Sequence, residues 1–157
     1  MTVAAQTYRE GDWFAVPLGE DSFALGRIAR HHQGIVFAYF FAPAFDHVPT
    51  LPETEDLTAD RALTQMLVSH LDLRDGAWPV LGQGGDWDPS AWPLVEFERR
   101  TDTPGGEALY AIRWDERTLN EELSARPLDP SEAGLRPRDV LSGAGAAVVR
   151  LRHALGL

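Results

Sequence analysis

Three aromatic and β-branched segments follow one another closely near the start of the chain and constrain its fold more than any other feature. They read WFAVPL at 13–18, SFALGRIAR at 22–30 and GIVFAYFF at 34–41. Residues of these types favour β-strands. Only three residues separate each segment from the next, whereas parallel strands need a crossover of a dozen residues or more. The sequence therefore predicts an antiparallel meander of three strands.

The third segment is predicted to be a central strand. Its alternating residues are apolar on both sides, with Ile35, Phe37, Tyr39 and Phe41 on one face and Val36, Ala38 and Phe40 on the other. A strand that is buried on both faces has this nearly continuous apolar character. The Gly11-Asp12 pair before the first segment indicates the bend from which that strand starts.

The middle of the chain is harder to interpret. Residues 43–57 are rich in proline and acidic residues and indicate a surface loop. For residues 58–73 both helix and strand remain open, because the apolar spacing from Leu63 to Leu71 fits a helix, while the following Asp75-Gly76 pair is a hairpin signal. We expect a strand over about 63–73 that pairs with 77–82.

A second hairpin is predicted further along. The segments LVEFERR at 94–100 and ALYAIRW at 108–114 flank a turn that contains Pro104-Gly105-Gly106. Residues 115–138 are polar and are expected to be a connection with one helical turn.

The C-terminal segment predicts a helix and completes the fold class. Val148, Leu151 and Leu155 form an apolar stripe, with Ser142 as the cap and Gly156 as the end of the helix. A chain of 157 residues has the length of one domain. The prediction is a single α+β domain over 1–157: a β-rich, curved antiparallel sheet or partial barrel of about six or seven strands with a C-terminal helix.

The charge of the chain limits its partners. Its 24 acidic residues outnumber 14 basic residues, all of which are arginine, so the net charge is −10. Nucleic acids bind proteins by exchanging counterions for Lys and Arg, and nucleic-acid binding is therefore disfavoured. A basic protein partner, such as a nuclease, would be attracted instead.

Compartment and redox chemistry are constrained by what the sequence lacks. The start, MTVAAQTYREGDW, has neither the basic beginning nor the apolar centre of a signal peptide. The longest apolar run, GIVFAYFFAPAF, is shorter than the roughly 20 residues of a membrane-spanning helix. We therefore expect a cytoplasmic protein that does not enter a membrane. The chain contains no cysteine, which excludes thiol catalysis, disulfides and cysteine-based zinc sites.

Common catalytic motifs are missing from the sequence. The chain has no Gly-x-Ser-x-Gly elbow, no Walker A loop, no dinucleotide-binding glycine motif and no His-Glu-x-x-His. The spacings of its five histidines match no common zinc pattern. Asp86, Asp88 and Ser90 have the spacing of the first half of a calcium loop, without its glycine and closing glutamate. We expect no catalytic residues, no metal and no cofactor.

A stretch rich in tryptophan suggests a binding surface. Trp78, Trp87 and Trp92 lie close together in the sequence and alternate with Asp86 and Asp88. Tryptophan is enriched among the residues that dominate interface energies, and loops often carry recognition. The predicted partner-binding residues are therefore Asp86, Trp87, Asp88 and Trp92. The alternative is that the tryptophans fill the core beneath a long loop.

Three stretches carry a family resemblance: YREGDWFAVPLGEDSFALGRI at 8–28, GAWPVLG at 76–82 and EAGLRPRDVLSGAGAAVVRLRHAL at 132–155. In this order they resemble the immunity protein 26 family of bacterial polymorphic toxin systems. The strongest part is Gly11-Asp12 before an aromatic strand, with Gly26-Arg27 in the next strand. The resemblance implies an inhibitor that is encoded beside a toxin and neutralises it by direct binding, and it brings no catalytic residues.

Two other functions remain open. Some endoribonuclease toxins also begin a small barrel with a Gly-Asp turn and an apolar strand, and such an enzyme needs a positive groove, for which Arg27, Arg30 and His31 are the candidates. A basic cleft around Arg27 would favour this enzyme, whereas an acidic rim around Trp87 would favour the inhibitor. An enclosed apolar pocket with a few convergent polar groups would favour a small-molecule or regulatory binding module.

Overall fold

The computed structural model describes residues 5–157, which form two β-sheets and a C-terminal helix. The strands in chain order are β1 (Trp13–Gly19), β2 (Ser22–His32), β3 (Ile35–Phe45), β4 (Thr64–Ser69), β5 (Val80–Gly82), β6 (Phe97–Thr103), β7 (Gly106–Trp114), β8 (Glu122–Pro127) and β9 (Leu141–Ser142). The helices are the single turn α1 (Leu71–Arg74) and α2 (Ala144–Ala154). One sheet has the order β5-β1-β2-β3-β4-β9 and the other β6-β7-β8.

The predicted meander is confirmed. β1 pairs antiparallel with β2, and β2 with β3, so that Arg27 lies opposite Trp13 on one side and Tyr39 on the other. The turn between β2 and β3 is Gln33-Gly34, with φ of 45° and 83°. Two positive φ values match the twist of a two-residue hairpin loop.

Strand β3 is buried on both faces, as predicted. Val36, Ala38 and Phe40 contact the core beneath α2. On the opposite face, Phe37 contributes to a second core, where its ring centroid lies 5.7 Å from that of Phe97 in β6. The smaller sheet therefore covers one face of the larger sheet, and α2 covers part of the other.

The expected strand at 63–73 is only partly correct. Strand β4 is shorter and pairs with β3 rather than with 77–82, and β5 pairs with β1 instead. The chain after β4 forms the helical turn α1, so the hairpin predicted at Asp75-Gly76 is wrong. The fully buried Leu73 explains the turn, because α1 places this side chain in the core beneath α2. Leu63 and Leu71, which suggested a longer element, are 41% and 48% exposed.

The second predicted hairpin is confirmed, and one further strand was missed. β6 pairs antiparallel with β7 over the full length of β6. Within 115–138, which was expected to be a connection with a helical turn, β8 pairs with β7. Every residue of β8 is exposed, so the alternation of buried and exposed residues that marks a strand is absent there.

The C-terminal helix lies where it was predicted. Leu151 is fully buried, and Val148 and Leu155 contact the same core. The residue before the helix, Gly143, is its N-cap, so the assignment of Ser142 as the cap is wrong. Ser142 belongs to β9, which pairs with β4 in the parallel sense and forms one edge of the larger sheet.

The predicted fold class is confirmed. The larger sheet stays open, with β5 and β9 at its edges, and the described residues form nine strands rather than six or seven. No helix within residues 5–157 has both the length and the apolar character required to cross a membrane.

Candidate functional site

The loop at 83–92, here called the tryptophan loop, follows β5 and lies on the face of the larger sheet opposite α2. Trp87 in this loop is partly exposed, whereas Trp92 is buried, with 5% of its surface exposed. Trp78 lies on the other face of the sheet, where it stacks on Phe14 with ring centroids 5.9 Å apart. Of these three tryptophans, Trp87 is therefore the one whose ring is available to a partner.

Arg27 lies among three indole rings, and these four residues are here called the arginine–tryptophan cluster. The Cζ atom of Arg27 lies 4.8 Å from the ring centroid of Trp13, 4.8 Å from that of Trp87 and 4.7 Å from that of Trp92. Burial lowers the pKa of Arg27, and the carboxylate of Asp12 partly opposes this effect. The attraction between a cation and indole faces stabilises the contact and holds Trp87 against the sheet.

Gly11 leaves the space that Trp87 occupies. A Cβ atom on Gly11 would lie 2.7 Å from Cγ of Trp87, closer than carbon atoms can approach. The φ of Gly11 is 94°, in the left-handed region that favours glycine. The carbonyl of Gly11 also accepts a hydrogen bond from Nε of Arg27 at 3.0 Å. The Gly11-Asp12 bend predicted from the sequence is thus present and also holds the tryptophan loop.

Arg30 binds the C-terminal part of the tryptophan loop. Its guanidinium donates hydrogen bonds to the carbonyl oxygens of Trp92 at 3.0 Å and Pro89 at 3.3 Å. It also pairs with the carboxylate of Glu116 at 3.1 Å. Regular alternation would point Arg30 toward α2, but a β-bulge between Ile28 and Arg30 turns the side chain to the face of the loop.

The residues required by the ribonuclease alternative do not form one basic groove: Arg30 and His31 line a surface concavity that also contains Glu10 and Glu116, and Arg27 is not among its lining residues. Arg27 and Arg30 are only 7% and 6% exposed, and their guanidinium groups contact the tryptophan loop. The rings of three tryptophans lie around the guanidinium of Arg27 and leave little of it exposed to a phosphate group. The third candidate for that groove, His31, contacts Tyr8 instead, with 3.3 Å between Nε2 and the phenol oxygen.

Hydrogen bonds stabilise the conformation of the tryptophan loop. The Asp88 carboxylate accepts from the hydroxyl of Ser90 at 2.7 Å and from its N–H at 3.0 Å, and these bonds lower the pKa of Asp88. Nε2 of Gln83 donates to the carbonyl of Glu10 at 2.8 Å. Asp88 is exposed, and its carboxylate binds groups of the turn at Ser90 rather than forming part of a calcium loop. Among residues 5–157 no group of three His, Asp or Glu side chains could hold a metal.

Exposed acidic residues lie on the tryptophan loop and on a turn that approaches it. The turn at 51–54 contacts the tryptophan loop, because Leu51 lies 3.2 Å from the position of a Cβ atom on Gly84. Both segments carry exposed carboxylates, and the turn continues directly into two more. The exposed acidic residues on these segments, here called the acidic rim, are Glu53, Glu55, Asp56, Asp86 and Asp88.

The predicted partner-binding residues thus occupy two layers. Asp86, Trp87 and Asp88 lie together at the surface, whereas Trp92 lies beneath them, where the rings of Trp13 and Tyr39 contact it edge-on. The alternative that tryptophans fill the core is correct for Trp92 and Trp78. Sequence reasoning did not identify Arg27 as the support of Trp87, although Gly26-Arg27 was already part of the family resemblance.

Comparison with known proteins gives one match. A family model described as Immunity protein 26 matches residues 9–104. No curated protein and no solved structure matches the chain significantly. The matched range contains Gly11 and the whole arginine–tryptophan cluster, so the residues that fix the tryptophan loop lie within the family region. The match spans more than half of the chain, which therefore belongs to the immunity protein 26 family.

Proposed function

We propose that this protein binds the bacterial toxin encoded beside it and neutralises that toxin by direct contact in the cytoplasm, without catalysing a reaction. Membership of an immunity protein family supports a protective function. The observation that carries the proposal is a partly exposed tryptophan, Trp87, which lies over Arg27 and is flanked in the chain by the exposed Asp86 and Asp88 of the acidic rim.

The contacts that anchor the tryptophan loop support its use as a binding surface. Arg27, Arg30 and Gln83 each tie the loop to the body of the protein. A loop that is already ordered loses less conformational entropy when a partner binds, so more of the contact energy appears as affinity. A standard interface of about 1,600 Å² in total would extend beyond Trp87 onto the acidic rim.

The charge of the acidic rim indicates a basic partner. Opposite charges on two proteins accelerate their encounter and favour correct orientation. A basic toxin, such as a nuclease, fits both the rim and the net charge of −10. The same charge opposes direct binding of nucleic acid.

The experiment is a calorimetric titration of the purified toxin, first with the unaltered protein and then with the Trp87→Ala variant. We expect Kd to rise by about 30-fold or more, the effect of removing an interface anchor. The free energy of unfolding should fall by only about 1 kcal/mol, because one of the three indole contacts of Arg27 is lost. A folded Trp87→Ala variant with unchanged Kd would remove the tryptophan loop from the interface.

A pair of charge variants provides the control. Asp86→Asn removes a carboxylate from the acidic rim, whereas Asp102→Asn removes an exposed carboxylate from β6 on the smaller sheet. We expect weaker toxin binding for Asp86→Asn and unchanged binding for Asp102→Asn. Equal effects of the two variants would mean that overall charge, rather than the acidic rim, determines affinity.

A further inference from the structure

A basic concavity of about 460 Å³ lies beside α2, at the edge of the larger sheet formed by β4 and β9. It is formed by β4, the chain leading to β9 and the C-terminal half of α2. Four of its side chains are basic or can become so: Arg136, Arg138, Arg150 and His153. None of the twelve residues that line it is acidic.

This concentration of positive groups is unusual for a chain of net charge −10. Like charges that converge repel one another, so the arrangement costs free energy unless an anion offsets it. Within residues 5–157 no ion pair includes Arg138 or Arg150, and Arg136 has only a long contact of 3.6 Å with Glu132.

One buried carboxylate, Glu98, offsets only part of the charge of the concavity. Burial raises the pKa of Glu98, but hydrogen bonds from the Gly134 N–H and from Arg100, together with the positive charges of Arg100 and Arg138, outweigh this effect and lower it. These bonds are 2.9 Å and 2.8 Å long and occupy both carboxylate oxygens. The charge of Glu98 acts on Arg138, but within residues 5–157 no side-chain hydrogen bond or ion pair uses the guanidinium donors of Arg138 or Arg150, and these donors can serve a ligand.

The remaining lining residues suit an organic ligand. Met66, Val140 and Ala154 supply apolar surface, and Thr64, Gln65 and Ser142 supply polar groups. Small-molecule sites combine apolar walls with a few converging polar groups in this way. Guanidinium groups from separate segments match the several oxygens of a phosphate, to which each can donate two hydrogen bonds.

We propose that this concavity binds the phosphate groups of a small organic phosphate. All four basic residues lie beyond residues 9–104, the range of the family match. None of the residues that line the concavity belongs to the tryptophan loop or to the arginine–tryptophan cluster. The proposal is therefore independent of toxin binding, and each can fail without the other.

The test is calorimetric titration of the full chain with pyrophosphate and, separately, with AMP, at constant ionic strength. We expect saturable binding of both compounds. Arg150→Ala should weaken that binding by about tenfold or more, since it removes one charge-assisted contact. The matched control is Arg61→Ala, which removes an exposed arginine outside the concavity and should change Kd by less than about twofold.

Three outcomes would overturn the proposal. The first is absence of saturable binding for either phosphate compound. The second is equal weakening by Arg150→Ala and Arg61→Ala, which would indicate non-specific attraction. The third is binding of a hexaglutamate peptide at this concavity without binding of pyrophosphate, which would assign it to an acidic protein segment. Arg150 is exposed on α2, and a thermal unfolding curve will verify that its variant is folded.

Discussion

Gly26 and Arg27 show how two neighbouring residues serve opposite faces of one strand. A Cβ atom on Gly26 would lie 2.6 Å from the ring of Phe14, so the close packing beneath α2 requires a glycine there. The side chain of Arg27 points the other way, into the arginine–tryptophan cluster. A buried cation is tolerated because indole faces and the Gly11 carbonyl replace the water it loses. The pair thus has a physical meaning: an empty position on one face and a supporting cation on the other.

Replacing Gly11 with alanine tests the fit between the bend and the tryptophan loop. We expect Gly11→Ala to destabilise the protein by about 2–4 kcal/mol, because alanine is strained at this φ and its Cβ would displace Trp87. Gly76→Ala is the matched control, since Gly76 has a similar φ of 82° but nothing lies within 4 Å of its Cβ position. Urea unfolding measures both variants. If Gly11→Ala and Gly76→Ala reduce the free energy of unfolding equally, the contact between position 11 and Trp87 does not contribute to stability.

Among the strands, β3 contributes most to both cores, and Phe37 is its best test. The Phe37 ring is fully buried and contacts Tyr39 and Phe97, with ring centroids 5.3 Å and 5.7 Å away. We expect Phe37→Ala to cost about 3–5 kcal/mol of unfolding free energy, from lost burial and the cavity left behind. The control Leu71→Ala, at an exposed position, should cost less than about 1 kcal/mol. A loss below 1 kcal/mol for Phe37→Ala would contradict the central position of β3.

Three side chains connect the N-terminal segment, the end of β2 and the chain before α1. The hydroxyl of Tyr8 lies 2.7 Å from Nδ1 of His70 and 3.3 Å from Nε2 of His31. Burial lowers the pKa of His31, and the neighbouring His70 and His32 lower it further. The folded state therefore disfavours the protonated form of His31.

The pH dependence of stability follows from this shift. Between the lowered pKa of His31 and the ordinary histidine pKa of about 6.5, His31 is protonated more in the unfolded chain than in the folded chain. The free energy of unfolding therefore rises with pH in this range. The contribution of His31 is complete above about pH 6.5 and is lost as pH falls toward its lowered pKa. Urea unfolding at pH 5.5 and pH 7.5 measures the difference. We expect His31→Gln to reduce that difference, and an unchanged difference would exclude His31 as its source.

For the molecule as a whole, net charge should control how fast the toxin is captured. With a net charge of −10 and exposed carboxylates on the tryptophan loop, attraction to a basic toxin acts over a Debye length, which is about 10 Å at 0.1 M salt. We expect the association rate constant to fall by about tenfold or more between 0.02 M and 0.5 M NaCl, with a much smaller change in dissociation. Stopped-flow fluorescence measures both rates. A salt-independent association rate would contradict a charged binding surface.

The sequence predicted those features that depend on neighbouring residues. Alternating apolar residues identified β3 and its two buried faces, and a helical stripe identified α2. The clustering of Asp86, Trp87 and Asp88 in a glycine- and proline-rich stretch indicated an exposed loop. β8 was missed because all its residues are exposed and it lacks a buried face.

The sequence by itself determined the meander, the central strand, the C-terminal helix, the acidic character and the family, because local spacing and residue type carry that information. The tertiary structure alone decided the strand partners of β4 and β5, the bulge that turns Arg30, and the position of Arg27 beneath Trp87. The physical reason is that these features depend on contacts between residues tens of positions apart. Such a contact forms because it buries apolar surface in the complete fold. The pattern of neighbouring residues in the sequence does not indicate which distant segment will provide that burial.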